Sequence, residues 1–103
     1  MRTTKLKTNT TYYVWHSKYP FYKEVVILGF SHDNTRYYTK KKEKYAMVRN
    51  AEITFKDTKE QAIADTVRRY FYYKHTETDR TYFQDEFLEE VEKYTDNLLE
   101  FFV

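Results

Sequence analysis

The chain has no cysteine, and only one glycine and one proline, in 103 residues. Without cysteine there is no disulfide scaffold, no Cys-ligated zinc or iron–sulfur centre and no thiol nucleophile. Gly29 is the sole glycine. Phosphate-cradling loops and the dinucleotide fingerprint need several glycines so that backbone N–H groups can approach a phosphate, and both are therefore excluded. No apolar run approaches the ~20 residues of a membrane-spanning helix. Met1 to Lys7 is positively charged but lacks the apolar run that follows in a signal peptide. The expectation is a soluble, cytoplasmic single domain, residues 1–103, able to bury roughly 65% of its unfolded surface.

What the chain has instead is aromatic surface. It carries 12 Tyr, 8 Phe and one Trp. Tyr combines large contact area with a polar tip, which suits a rigid adhesive surface better than flexible-loop chemistry. Charge is divided along the sequence. Residues 1–56 hold 12 Lys and Arg against 4 Asp and Glu, and residues 57–103 hold 6 against 12. A basic pole and an acidic pole can each steer a partner while the whole stays near neutral.

The first half reads as strands. Tyr12–His16 is aromatic and β-branched, and Ser17–Pro20 is a turn. Phe21–Phe30 has Val25-Val26-Ile27-Leu28 at its centre, the pattern of a strand buried on both faces, with Gly29 marking a bulge or a close backbone approach. His32–Thr35 is the clearest turn. Arg36–Lys40 and Lys44–Arg49 form a hairpin with a charged tip, and Glu52–Phe55 extends the last strand.

The second half changes period. Asp57 and Glu60 have capping-box spacing, and Ile63, Val67, Tyr70, Phe71 and the Lys74 stem follow at helical intervals. Thr81 with Gln84 repeats the box. Phe87, Val91, Tyr94, Leu98 and Phe101 then make one apolar seam, flanked by Leu88 and Phe102. The fold class is α+β: an antiparallel sheet of about four strands (residues 10–55) covered by two C-terminal helices (58–74 and 82–101). The seam serves the core or a homodimer interface, so the chain is a monomer or a homodimer.

No catalytic set emerges. Ser31-His32-Asp33 holds the residue types of a triad, but adjacent residues cannot adopt its geometry. His16, His32 and His75 lack metal-ligand spacing; only a meeting of His16 with His32 and Asp33 across a hairpin would build a site. The expectation is a non-enzyme with no cofactor and no metal.

Binding chemistry fares better. Alternation puts Tyr13 and Trp15 on one strand face, with Tyr37 and Tyr38 as further aromatic anchors. Arg36, Lys40, Lys41, Lys42 and Lys44 make a basic hairpin, with Arg49 close by. Rings on a sheet beside cations suit single-stranded nucleic acid. Asp85, Glu86, Glu89, Glu90 and Asp96, with Glu92 and Glu100, give an acidic helix face that would suit a basic groove.

The junction Glu52-Ile53-Thr54-Phe55-Lys56-Asp57-Thr58-Lys59-Glu60-Gln61-Ala62 passes from a strand-rich half to an Asp/Thr-capped helix. In this layout, its size and its Tyr, Lys and Glu content, the chain resembles the short early proteins of bacteriophages of low-GC Gram-positive hosts. That resemblance implies stoichiometric binding: an anti-CRISPR-like or other anti-defence inhibitor that blocks a host or defence protein. The alternative is a small single-stranded nucleic-acid-binding module.

Overall fold

A computed structural model describes residues 3–39, 45–76 and 80–94. The fold is α+β, with antiparallel strands and three helices among the described residues. In chain order these are β1 (Thr11–Trp15), β2 (Tyr22–Val26), β3 (Gly29–Phe30), β4 (Arg36–Tyr38), β5 (Ala46–Met47), α1 (Val48–Thr54), β6 (Phe55–Lys56), α2 (Lys59–His75) and α3 (Tyr82–Lys93).

Among the described residues the strands form two three-stranded sheets, ordered β2-β1-β6 and β3-β4-β5, where the sequence suggested one. The switch between sheets falls inside the apolar run. Ile27 is fully buried, whereas Val26 and Leu28 are exposed, so this run is not a strand covered on both faces. Backbone bonds hold the crossing: Asn9 N–H donates to the Ile27 carbonyl, and Leu28 N–H donates to the Tyr38 carbonyl.

The first sheet separates two cores. Register pairs Tyr12 with Val25 and Val14 with Phe55, and it pairs Trp15 with Tyr22. Because opposed residues share a face and successive ones alternate, Tyr12 and Phe55 look one way and Trp15 and Tyr22 the other. On the Tyr12 side Leu6, Ile27, Val48 and Ala51 are buried, with Phe30, Tyr37 and Phe55 packed against them. On the Trp15 side lie Phe21, Ile63, Phe87 and Val91, joined by Tyr22, Tyr70, Tyr73 and Tyr94. Helices α2 and α3 therefore cover one face, as the sequence implied, and the second sheet with α1 covers the other.

Helix α1 replaces the expected strand at Val48–Arg49 and at Glu52–Thr54, and of Glu52–Phe55 only Phe55 is extended, in β6. Its β-branched residues favour extended chain, but Val48 and Ala51, three apart, are both fully buried, and this burial outweighs propensity. Ile53 is left 73% exposed.

The helix starts are set by side-chain caps. Thr58 accepts from Gln61 N–H, and the Gln61 side chain accepts from the Thr58 backbone. This box lies one residue beyond the expected Asp57–Glu60 pair. Thr81 and Gln84 form the second box as read from the sequence. Tyr70 to Tyr73 is helical, and α2 runs to His75. The inward stripe of α2 is Ile63, Thr66, Tyr70 and Tyr73, whereas Phe71 points outward and is exposed. The seam of α3 holds for Phe87, Val91 and Tyr94, and Leu88 is buried beside it. Leu98, Phe101 and Phe102 lie outside the described residues.

Candidate functional site

The four expected anchors do not converge. Tyr13 is half-buried, its ring edge-on to Tyr22 at 5.8 Å. Trp15 is half-buried in the seam with the helices: its indole N–H donates to Thr66 Oγ1, Phe87 meets it edge-on, and the Arg69 guanidinium lies 4.2 Å over its ring. Tyr37 belongs to the other core, 5.4 Å from Phe55, and its burial pushes the phenol pKa up. Tyr38 sits in the second sheet beside Tyr45.

The outer face of that second sheet depends on the one glycine. Gly29 pairs with Tyr38, and a Cβ on Gly29 would lie 2.4 Å from the Tyr38 hydroxyl. The missing side chain lets the Tyr38 ring lie across the strand, so what crowds Gly29 is an aromatic ring and not the bulge or backbone approach expected there. Arg36 pairs with Met47, and both are exposed, as is Tyr45. Lys40, Lys41, Lys42 and Lys44 lie outside the described residues, so of the basic hairpin only Arg36 is placed.

The acidic face of α3 is partly neutralised. Asp85 is bound by Arg80 at 3.2 Å, and Glu90 lies 3.8 Å from Lys18. Glu92 accepts from Lys74 at 2.7 Å and from the Tyr70 hydroxyl at 3.2 Å, which fastens α3 to α2. The bond from Lys74 lowers the Glu92 pKa, and Glu92 raises that of Lys74. Asp96 lies outside the described residues, while Glu89 is exposed.

Among the described residues the most exposed rings lie at two helix ends, none of them an expected anchor. Phe71 and Tyr72 end α2 at 56% and 69% exposure, and Tyr82 and Phe83 begin α3 at 73% and 78%. The two helix ends are tied together, because Arg80 Nη1 donates to the Tyr73 carbonyl while its Nε meets Asp85. Phe83 lies four residues before Phe87 on the inward stripe, but at the helix start the stripe has run past its cover. The four-residue step from Phe83 to Phe87 is legible in the sequence and extends the seam by one turn toward the start of α3. Between Phe83 and the end of β1 is a cleft of about 240 Å³ walled by Trp15, Tyr73, Phe83 and Phe87, with Lys18 and Glu86 also lining it. The negative charge of Glu86, together with a hydrogen bond between the side chains, pushes the Tyr82 phenol pKa up.

His16 serves local structure, and His75 is exposed at the end of α2. His16 Nδ1 accepts from Lys18 N–H in the turn after β1. The Asp33 carboxylate is occupied by Ser31 and Thr35, and His32 is exposed beside it. Among the described residues no three His, Asp or Glu side chains gather as metal ligands would, and no helix is long and apolar enough to cross a membrane.

No protein-family model, curated protein or solved structure matches the chain.

Proposed function

We propose that the chain is a non-enzymatic binding protein that docks on another protein through the aromatic ridge where α2 ends and α3 begins. Its activity would be the one its resemblance to phage early proteins implies: inhibition of a host or anti-phage defence protein by occupying a functional surface. The observation that carries this is the exposure of large rings at two helix ends tied by Arg80, with Tyr72, Tyr82 and Phe83 each more than two-thirds exposed on capped, packed helices. Large aromatic side chains on a rigid support lose little entropy when they dock, and such residues dominate binding energy at protein interfaces.

The test is affinity capture from host lysate, with and without nuclease. The wild-type chain is compared with a Tyr72→Ser, Tyr82→Ser double variant. A protein retained by wild type in both conditions and lost with the double variant supports docking through the ridge. Equal retention by the variant overturns it.

A second function is favoured by the outer face of the second sheet, where Tyr38 and Tyr45 pack at 5.2 Å next to exposed Arg36. Rings for stacking beside a cation for phosphate suit a single-stranded nucleic acid. This predicts a low-salt mobility shift with an oligonucleotide that weakens with Tyr45→Ala and steeply with added salt.

A further inference from the structure

We infer that the cleft between the end of β1 and the start of α3 receives one cationic side chain, an arginine or a lysine, from a basic segment of the docked protein. This rests on the proposed docking through the ridge and names the chemistry of what is docked.

Size limits the occupant first. At about 240 Å³ the cleft is smaller than the ~300–1,000 Å³ of small-molecule sites, so it suits a single side chain. The walls then select its character. Trp15, Tyr73, Phe83 and Phe87 present aromatic rings, whose faces attract a cation. The molecule already uses this attraction nearby, since the Arg69 guanidinium lies 4.2 Å over Trp15 without being part of the cleft lining.

Charge decides the sign. Lys18 lines the cleft but lies 3.8 Å from Glu90, which offsets its charge. Glu86 is the lining carboxylate, bonded to Tyr82 at the surface. Around it α3 carries Asp85, Glu89, Glu90 and Glu92 against Lys93, although Arg80 and Lys74 counter Asp85 and Glu92. A carboxylate or phosphate entering would face Glu86, and an apolar side chain would leave that carboxylate against hydrocarbon. A guanidinium or ammonium satisfies the rings and Glu86 together.

Trp15 is the only tryptophan, so its fluorescence reports the cleft directly. The probe is the blocked hexapeptide Gly-Arg-Gly-Arg-Gly-Arg, with its citrulline counterpart as an uncharged isostere. The arginine peptide should shift Trp15 emission saturably, and the citrulline peptide should bind about tenfold more weakly or not at all. Glu86→Gln should weaken the arginine peptide about five- to tenfold and Phe83→Ala about fivefold, while Glu89→Gln stays within about twofold. Both Phe83 and Glu89 are exposed, so their variants should fold. Equal binding of the two peptides, or equal losses for Glu86→Gln and Glu89→Gln, overturns the inference. If the Tyr72→Ser, Tyr82→Ser variant loses the captured protein while the arginine peptide fails to bind wild type, ridge docking stands and the cleft assignment falls. If the peptide binds and the variant captures normally, the cleft stands and ridge docking falls.

Discussion

The indole N–H of Trp15 donates to the Thr66 hydroxyl at 2.7 Å, joining the end of β1 to the middle of α2. Thr66 is fully buried, the one buried polar residue among the described side chains. A threonine facing a core is out of place by pattern, and the indole partner explains it. Thr66→Val keeps the shape and removes the acceptor. It should destabilise the chain by about 1–3 kcal/mol in urea unfolding, because the indole N–H is left without a partner. In a Trp15→Phe background the same change should cost little, since donor and acceptor are then both absent. Equal losses in the two backgrounds would mean the bond contributes nothing.

Gly29 and Tyr38 make a second coupled pair. Gly29→Ala places a methyl 2.4 Å from the Tyr38 hydroxyl, and the whole ring must move, because its Cζ and Cε1 are also within 2.9 Å. The expected loss is about 1–3 kcal/mol. Truncating the ring with Tyr38→Ala should remove most of the penalty for Gly29→Ala, giving a double-mutant coupling of about 1 kcal/mol or more. Strict additivity would place the strain elsewhere.

These two pairs show what the sequence can and cannot disclose. Alternation correctly put Tyr13 and Trp15 on one face of β1, and Thr81 with Gln84 fixed the start of α3. The turn at Asp33 was readable for the same reason, since it depends on residues near in sequence. The lone glycine marks a crowded position, but that the Tyr38 ring rather than backbone crowds it depends on strand pairing. Which element lies opposite a face is a tertiary matter. Trp15 and Tyr37 looked like outward anchors because nothing local says that α2 covers one and Phe55 packs on the other. Helix α1 is hard to see because the helical spacing of Val48 and Ala51 runs through residues that favour strands. Phe71 fits an inward phase in the sequence because a broad aromatic run permits more than one helical phase, and Thr66 rather than an apolar residue holds the true stripe. The Phe83 edge of the ridge was hidden differently: its phase is that of the core, and only the length of the packed cover reveals that it is exposed.

The start of α2 gives a test of register. Thr58 Oγ1 accepts from Gln61 N–H, while Gln61 Oε1 accepts from the backbone N–H groups of both Thr58 and Asp57. Thr58→Ala should cost about 1 kcal/mol by thermal or urea unfolding. Asp57→Ala keeps every one of these bonds and should cost no more than ~0.5 kcal/mol. A larger loss at Asp57 would put the cap one residue earlier.

The turn between β3 and β4 has a defined acid response. Asp33 accepts from the Thr35 hydroxyl at 2.7 Å, the Ser31 hydroxyl at 2.9 Å and the Thr35 backbone N–H at 3.1 Å. Hydrogen bonds to the ionised form favour it, and these, that from the Thr35 side chain first, lower the carboxyl pKa from 3.8 to about 2. Because the folded value is the lower one, the contribution to stability is complete above the ordinary value of 3.8 and is lost as the pH falls through about 2. Carboxyl carbon NMR should show Asp33 titrating near 2, clearly below a solvated aspartate. Thr35→Val removes the leading donor and should raise that midpoint, and Asp33→Asn should narrow its stability gap from wild type as the pH drops from about 4 to about 2. A midpoint at the ordinary aspartate value in the wild-type chain would mean that the turn is held by its backbone bonds alone.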